Sequence, residues 1–197
     1  KKHVISSKSK MINILHAGTF KEWLSPRTWI YETADEYIKG LTSLILATVN
    51  LKNIKLIIRF RSMPTCSLSN IKKLLPKLDH YEIKSSGNFF EDLSKADLLV
   101  SWASTTIEEA LHLRKPVLLW GGSNRYFWLP PCREFPTPQN RSEIYAPESE
   151  DELSPMIEAI LESHVGKPLT DKELKGHIWP DNLPGVEEFI KQLDNSK

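Results

Sequence analysis

The sequence has few cysteines and no long apolar run. Cys66 and Cys132 are the only cysteines among 197 residues, too few for a disulfide scaffold and too isolated for a zinc site. Both are therefore predicted to be free thiols in a reducing compartment. No apolar stretch approaches the roughly 20 residues that cross a bilayer, and the basic, Ser-rich stretch 1–10 lacks the apolar core of a signal peptide. We expect a cytoplasmic protein, peripheral at a membrane only through a partner.

An excess of charge of one sign is also missing. Lys and Arg number 26 against 25 Asp and Glu, a formal net charge of +1, whereas a dedicated nucleic-acid binder carries an excess of Lys and Arg. We therefore expect no nucleic-acid partner. Hydrophobic residues make up 40% of the chain and charged residues 26%, which is typical of a globular domain with a sizeable core.

What the sequence does contain is a regular alternation of short apolar runs and helical segments. Several apolar runs are nearly continuous in Ile, Leu and Val, as in strands buried on both faces. The predicted strands are Ile12–His16, Ile54–Phe60, Tyr81–Lys84, Asp97–Ser101, Pro116–Trp120 and a weak Glu143–Ala146.

Helix-start signals lie between these runs. A capping box at Thr33 and Glu36 predicts a helix to about Val49. The other predicted helices begin at Ser67 or Ser69, at Asn88, at a second capping box formed by Thr105 and Glu108, and at Ser149, with a last helix near Val186–Leu193.

Strands that alternate with helices predict a parallel sheet with right-handed crossovers. We predict an α/β fold, a Rossmann-like doubly wound sheet of about six strands with helices on both faces and a helical C-terminal tail. The predicted divisions are a linker over 1–10, this domain over 11–165, and a connector with a helix over 166–197. The tail is expected to pack on the domain or on a missing N-terminal half.

The first loop after a predicted strand has the composition of an anion site. Parallel sheets bind ligands beyond the carboxyl ends of their strands, and this loop places Gly18, Thr19 and Lys21 there. It lacks the glycine patterns of dinucleotide-binding and P-loop proteins. A small turn with a hydroxyl and a cation suits a phosphate, although a plain glycine turn beside a buried His16 explains the pattern equally well.

A second loop carries a cluster of hydroxyl side chains. Ser104, Thr105 and Thr106 follow a predicted buried strand and precede a helix, where backbone N–H groups and hydroxyls favour an anion. Ordinary helix capping is the alternative interpretation of the same residues.

The segment 96–120 resembles the donor-nucleotide motif in the C-terminal Rossmann half of GT-B-fold glycosyltransferases. The resemblance lies in Asp97–Ser101, Ser104–Thr106, Glu109–Leu111 and Lys115–Val117. It implies that Ser104, Thr105 and Thr106 bind the donor phosphates, with Gly18, Thr19 and Lys21 beside them. Glu109 would then bind the ribose hydroxyls, which a carboxylate can accept from; Glu108 is the neighbouring alternative.

The same resemblance assigns expected roles to other loops. Ile83 and Lys84 would lie against the base, with an ordinary Ser/Gly loop after the third strand as the alternative, and Ser123 and Asn124 would contact the sugar. Arg61 suits bidentate phosphate recognition, and a solvated surface position is the equal alternative. For Arg59, on the same side of the chain by alternation, a solvated surface position is preferred.

No catalytic residue is assigned, because a general base must reach the acceptor hydroxyl and inverting GT-B enzymes usually supply it from their other half. No cofactor or metal is expected, since the sequence has no DxD pair or Cys/His cluster.

The resemblance implies the donor-binding domain of a glycosyltransferase. It would use a nucleotide-sugar and a cell-surface or lipid-linked glycan acceptor, with a second Rossmann-like domain or subunit. The alternatives are a non-catalytic nucleotide- or glycan-binding module and a nucleotide-sugar 2-epimerase relative.

Overall fold

A computed structural model describes residues 11–19, 21, 31–61, 67–121, 127, 129–174, 176–177 and 191. Within these residues six strands form one parallel sheet with the order β3-β2-β1-β4-β5-β6. The strands are β1 (Ile12–Ala17), β2 (Ile54–Arg59), β3 (Tyr81–Lys84), β4 (Leu98–Ser101), β5 (Val117–Leu119) and β6 (Ile144–Tyr145). Each lies within the predicted strands or within one residue of them, which confirms the predicted doubly wound α/β fold.

The strand order reverses direction between β1 and β4, which are neighbours in the sheet. The chain runs from β1 outward to β3 and then returns to place β4 on the other side of β1. Loops that leave β1 and β4 therefore diverge to opposite faces, and this divergence opens a crevice at the carboxyl ends of these strands.

Five helices cover the sheet within the described residues. They are α1 (Ala34–Thr48), α2 (Leu68–Leu74), α3 (Phe89–Lys95), α4 (Thr106–His112) and α5 (Leu153–His164). Thr33 caps α1 in a complete capping box, Ser67 rather than Ser69 caps α2, and Asn88 caps α3. The second predicted capping box does not form, because the Thr105 side chain makes no cap hydrogen bond.

Alternate side chains along the strands enter two separate cores. Ile14 packs in a cluster with residues of α1, α2 and α5, while Leu15 packs in a cluster with residues of α3 and α4. Both side chains are essentially inaccessible to solvent. A strand buried on both faces is what the continuous apolar runs predicted.

The first part of the tail packs along the amino-terminal edge of this sheet. The Leu169 amide donates to the Arg114 carbonyl at 3.0 Å, and the Arg141 guanidinium pairs with Glu173 at 2.8 Å. The helix predicted near 186–193 lies outside the described residues apart from Lys191. In the described part of the chain, no helix has the length and apolar character needed to cross a membrane.

Candidate functional site

A cleft of about 430 Å³ opens at the carboxyl ends of β1, β2 and β4. The residues predicted to bind phosphate come from three distant segments of the sequence. All seven of them line this cleft: Gly18, Thr19, Lys21, Arg61, Ser104, Thr105 and Thr106. The strand order brings them together, since β1 has β2 on one side and β4 on the other.

The hydroxyl groups of the cleft are only partly used by the protein itself. The Thr106 amide donates to the Ser104 hydroxyl at 3.4 Å, and Thr105 is exposed without a cap hydrogen bond. The Thr106 Oγ1 atom is buried and has no hydrogen-bond partner. Buried polar atoms in proteins are nearly always bonded, so this orphaned hydroxyl is a feature that a bound ligand would explain.

Arg59 and Arg61 both line the cleft but differ in their surroundings. The Arg59 side chain is only 13% exposed and pairs with Asp92 at 3.0 Å. It also donates to the carbonyls of Ser86 and Gly87. The solvated position preferred for Arg59 is therefore wrong, because this guanidinium is committed to the β3–α3 loop. Arg61 is exposed at the cleft.

The residues predicted to contact the base lie beside the cleft. Ile83 is buried in the core, and the Lys84 carbonyl accepts a hydrogen bond from the Phe60 amide at 2.8 Å. The Lys84 ammonium pairs with Asp92 at 3.4 Å. The next residue, Ser85, reaches the cleft wall.

The predicted ribose and sugar residues are placed differently. Glu109 is exposed on α4, and its amide donates to the Thr105 carbonyl at 3.4 Å. Its side chain is not part of the cleft wall, which ends at Thr106 on this helix. Ser123 and Asn124 lie outside the described residues.

A narrow cavity of about 20 Å³ adjoins the cleft and shares Gly18, Thr19, Lys21 and Ser104 with it. His16 lines this cavity and is 5% exposed. Burial lowers the pKa of His16 to about 4, so the imidazole is neutral near pH 7. Its Nδ1 atom is buried without a hydrogen-bond partner.

The polar groups around His16 hold the first loop in place. The Tyr37 hydroxyl donates to the Gly18 carbonyl at 2.9 Å, and the Ser101 hydroxyl donates to the Ala17 carbonyl at 2.7 Å. These two bonds tie the end of β1 to α1 and to β4. The turn that carries Gly18 is therefore fixed from both sides.

Sequence reasoning missed three residues that line this cavity, Glu32, Trp102 and Trp120. Glu32 is only 3% exposed. Gly121 has a φ of +136°, and a Cβ there would lie 3.0 Å from the Trp102 Cβ and 3.3 Å from a Glu32 carboxylate oxygen. Only glycine fits this position without a shift. The available signal was that Trp102 and Trp120 directly follow buried strands.

A wider cavity of about 320 Å³ continues from Trp120 and Gly121 between α1 and the loop after β6. Glu36, Glu148 and Glu150 line it together with Lys39, so acidic side chains outnumber basic ones there, whereas the first cleft contains Lys21, Arg59 and Arg61. Among the described residues, no group of three or more His, Cys, Asp or Glu side chains could hold a metal ion.

The fold is similar to that of several solved proteins. UDP-GlcNAc 2-epimerase from Methanocaldococcus jannaschii, in complex with UDP-GlcNAc and UDP, is 13% identical with a TM-score of 0.55, over 94% of this chain and 46% of that chain. The S. aureus MnaA structure with UDP is 10% identical with a TM-score of 0.50, over 86% and 43%. The wall teichoic acid polymerase TagF, as its H444N variant, is 14% identical with a TM-score of 0.47, over 95% and 44%.

No protein-family model matches the sequence, and no curated protein matches it. The similarity to the M. jannaschii epimerase and to MnaA confirms the predicted Rossmann-like α/β fold. The chain spans less than half the length of each of these three proteins.

Proposed function

We propose that this chain is the donor-binding domain of a glycosyltransferase that uses a nucleotide-sugar. The observation that carries the proposal is the meeting of seven hydroxyl-bearing, cationic and glycine residues in one cleft. The orphaned Thr106 hydroxyl adds to it, because it could donate a hydrogen bond to a phosphate oxygen. The same ligand class is present in the M. jannaschii epimerase structure, which holds UDP-GlcNAc and UDP.

In this proposal the cleft stabilises the diphosphate both before and after the sugar departs. Arg61 and Lys21 supply positive charge, and Ser104, Thr105 and Thr106 supply hydroxyl donors. Prepositioned donors of this kind stabilise the negative charge that develops on a leaving group. The acceptor, a cell-surface or lipid-linked glycan, would be bound by a second Rossmann-like domain or subunit, which would also supply the general base.

Thermal unfolding against a panel of UDP, CMP, CDP, GDP and ADP at millimolar concentration tests the proposal. A ligand that binds only the folded state raises the unfolding midpoint. We expect one base to raise it and expect Thr106→Val and Arg61→Met to abolish the rise. Lys115→Met, which changes a lysine beside a cavity at the amino-terminal edge of the sheet, is the matched control and should keep it. A wild-type midpoint that no nucleotide moves would overturn the proposal and favour a non-catalytic interaction module.

The ribose assignment has its own matched pair on α4. Glu108 and Glu109 are adjacent and both exposed. If Glu109 accepts from the ribose hydroxyls, Glu109→Gln weakens binding of the selected diphosphate about tenfold, the effect of a hydrogen bond to a charged group. Glu108→Gln should leave the dissociation constant unchanged in calorimetric titration. The reverse result would move the ribose role to Glu108.

A further inference from the structure

His16 is a buried polar residue whose hydrogen bonding is incomplete. It is 5% exposed, and its Nδ1 atom has no partner. The nearby polar side chains are committed elsewhere, since Tyr37 donates to the Gly18 carbonyl and Ser101 to the Ala17 carbonyl. An unmade hydrogen bond on a buried group carries a free-energy penalty, so a polar group that entered the adjoining cavity and bonded this imidazole would be stabilised there.

The narrow cavity beside His16 can hold one small group. Its volume of about 20 Å³ exceeds the roughly 10–15 Å³ that a water-sized occupant requires. Five residues of the phosphate cleft also line it: Ala17, Gly18, Thr19, Lys21 and Ser104. A substituent attached to a diphosphate in the cleft is therefore adjacent to the cavity.

The walls of the cavity favour an uncharged hydroxyl over a second anion. The cavity holds only one water-sized group, which a hydroxyl fits and a phosphate does not. The buried Glu32 lines it beside the first loop, where the Glu32 amide donates to the Lys21 carbonyl at 3.0 Å. A neutral imidazole can both donate and accept hydrogen bonds, and a carboxylate accepts them. Burial keeps His16 neutral at physiological pH by lowering its pKa to about 4.

The position of the cavity indicates which part of the ligand supplies that hydroxyl. On one side the cleft extends to Arg59, Ser85 and Phe89, next to the segment predicted to hold the base. On the other side the narrow cavity reaches Trp120 and Gly121, where the acidic 320 Å³ cavity begins. In a nucleotide-sugar, the nucleoside and the sugar are attached to opposite ends of the diphosphate. If the nucleoside lies on the Ser85 side of the cleft, the sugar therefore lies on the side of the narrow cavity and His16.

We propose that His16 is a specificity-determining residue that hydrogen-bonds a hydroxyl group of the donor sugar in the narrow cavity. This inference rests on the proposed function. Because it assigns His16 to the sugar and not to the diphosphate, a His16 variant should weaken binding of the nucleotide-sugar but not binding of the diphosphate alone.

Calorimetric titration with matched ligands tests the assignment. The probes are UDP, CDP, GDP and ADP, each compared with its glucose ester, against wild type, His16→Phe and His16→Asn. We expect His16→Phe to weaken binding of the glucose ester about five- to tenfold, the effect of one hydrogen bond, and to leave the diphosphate unaffected. His16→Asn, which keeps a polar group, should recover part of the loss. His112→Asn is the control, since His112 is exposed on α4.

A second measurement uses only the wild-type chain, so its result does not depend on whether a His16 variant folds. In ¹⁵N-labelled wild type, the glucose ester should shift the imidazole nitrogens of His16 beyond the shift that the diphosphate alone produces. If wild type binds no diphosphate and no ester, both the proposed function and this inference are wrong. If wild type binds a diphosphate but the ester adds no shift at His16, or His16→Phe weakens both ligands equally, the inference is wrong while the proposed function stands.

Discussion

Arg59 and Arg61 lie two residues apart at the end of β2 and have different functions in the structure. Arg59 is enclosed by Asp92 and two loop carbonyls, whereas Arg61 is exposed at the cleft. Alternation along the strand correctly places both on one side of the chain, since both line the cleft. Their difference in exposure depends on Asp92, which α3 contributes from 33 residues away.

These two arginines should therefore differ in stability and in binding. Arg59→Met leaves Asp92 short of a partner in a partly buried site and should lower the free energy of unfolding by about 2 kcal/mol. Arg61→Met should change it by less than about 0.5 kcal/mol, as exposed substitutions do, and should weaken nucleotide binding. Urea denaturation and the nucleotide panel measure the two effects. Equal destabilisation by both variants would contradict the structure.

Two buried histidines make the fold sensitive to acid. Burial lowers the pKa of His16 and of His164 to about 4, from an ordinary value near 6.5. At His164, Arg141 and Lys167 lower the pKa further and Glu173 opposes them. Because the folded pKa lies below the unfolded one, each histidine destabilises the fold increasingly as the pH falls from about 6.5 toward 4.

We expect the free energy of unfolding to fall between pH 7 and pH 5 by roughly 2 kcal/mol for each of these histidines. His164→Gln should remove one such contribution, so its pH 7 to pH 5 difference is smaller than that of wild type. Urea denaturation at the two pH values measures it, and His112→Asn should retain the full difference. An unchanged pH dependence in His164→Gln would contradict the buried, neutral state of this residue.

At the scale of elements, two sequence patterns predict the same N-terminal capping box, but only one of them forms it. Thr33 and Glu36 form both bonds of a capping box at 3.2 and 2.9 Å. Thr105 has Glu108 at the same spacing, yet its side chain makes no cap bond. The spacing alone predicts both boxes. The difference arises because Thr105 has helical backbone angles, φ −61° and ψ −14°, where a capping residue is normally extended.

This contrast predicts opposite effects for two identical substitutions. Thr33→Ala removes a working cap and should lower the free energy of unfolding by about 1 kcal/mol. Thr105→Ala should leave stability nearly unchanged and weaken binding of the diphosphate in the cleft. Thermal or urea denaturation with and without nucleotide separates the two. A stability loss of similar size in Thr105→Ala would show that its hydroxyl serves the helix and not a ligand.

The elements themselves follow closely from local sequence. Buried parallel strands require continuous apolar runs, and such runs locate the central strands β1, β2, β4 and β5. The edge strand β3, Tyr81–Lys84, carries two charged residues and only one buried side chain. Helix α5 is the exception, because it begins at Leu153 and not at the predicted Ser149. There the Glu148 amide donates to the Glu152 carboxylate at 2.8 Å, and the Ser43 hydroxyl donates to Glu150 at 2.6 Å. These contacts hold residues 148–152 in a turn, and the acidic pattern does not reveal them.

At the scale of the whole molecule, the candidate site exists only because of the strand order. The loops after β1, β2 and β4 meet because β1 is central, and a doubly wound fold makes that meeting predictable. The sequence does not reveal that Glu32 is buried and lines the same cavity as His16, because burial at a cleft depends on which loops fold over it. The orphaned atoms of His16 and Thr106 are likewise visible only in three dimensions.

The cleft brings all seven residues predicted to bind phosphate together in this chain. In the proposed function, a second domain or subunit supplies the acceptor site and the general base. Binding of the donor, in contrast, should be a property of this chain alone.

Chemical-shift mapping of the ¹⁵N-labelled chain with the selected nucleoside diphosphate tests this account most directly. The account predicts that the largest backbone amide shifts fall at residues 17–21 and 104–107, and that Arg61→Met and Thr106→Val reduce them. Shifts confined to the amino-terminal edge of the sheet, around residues 114–116 and 166–168, would contradict it. So would a spectrum that millimolar diphosphate leaves unchanged.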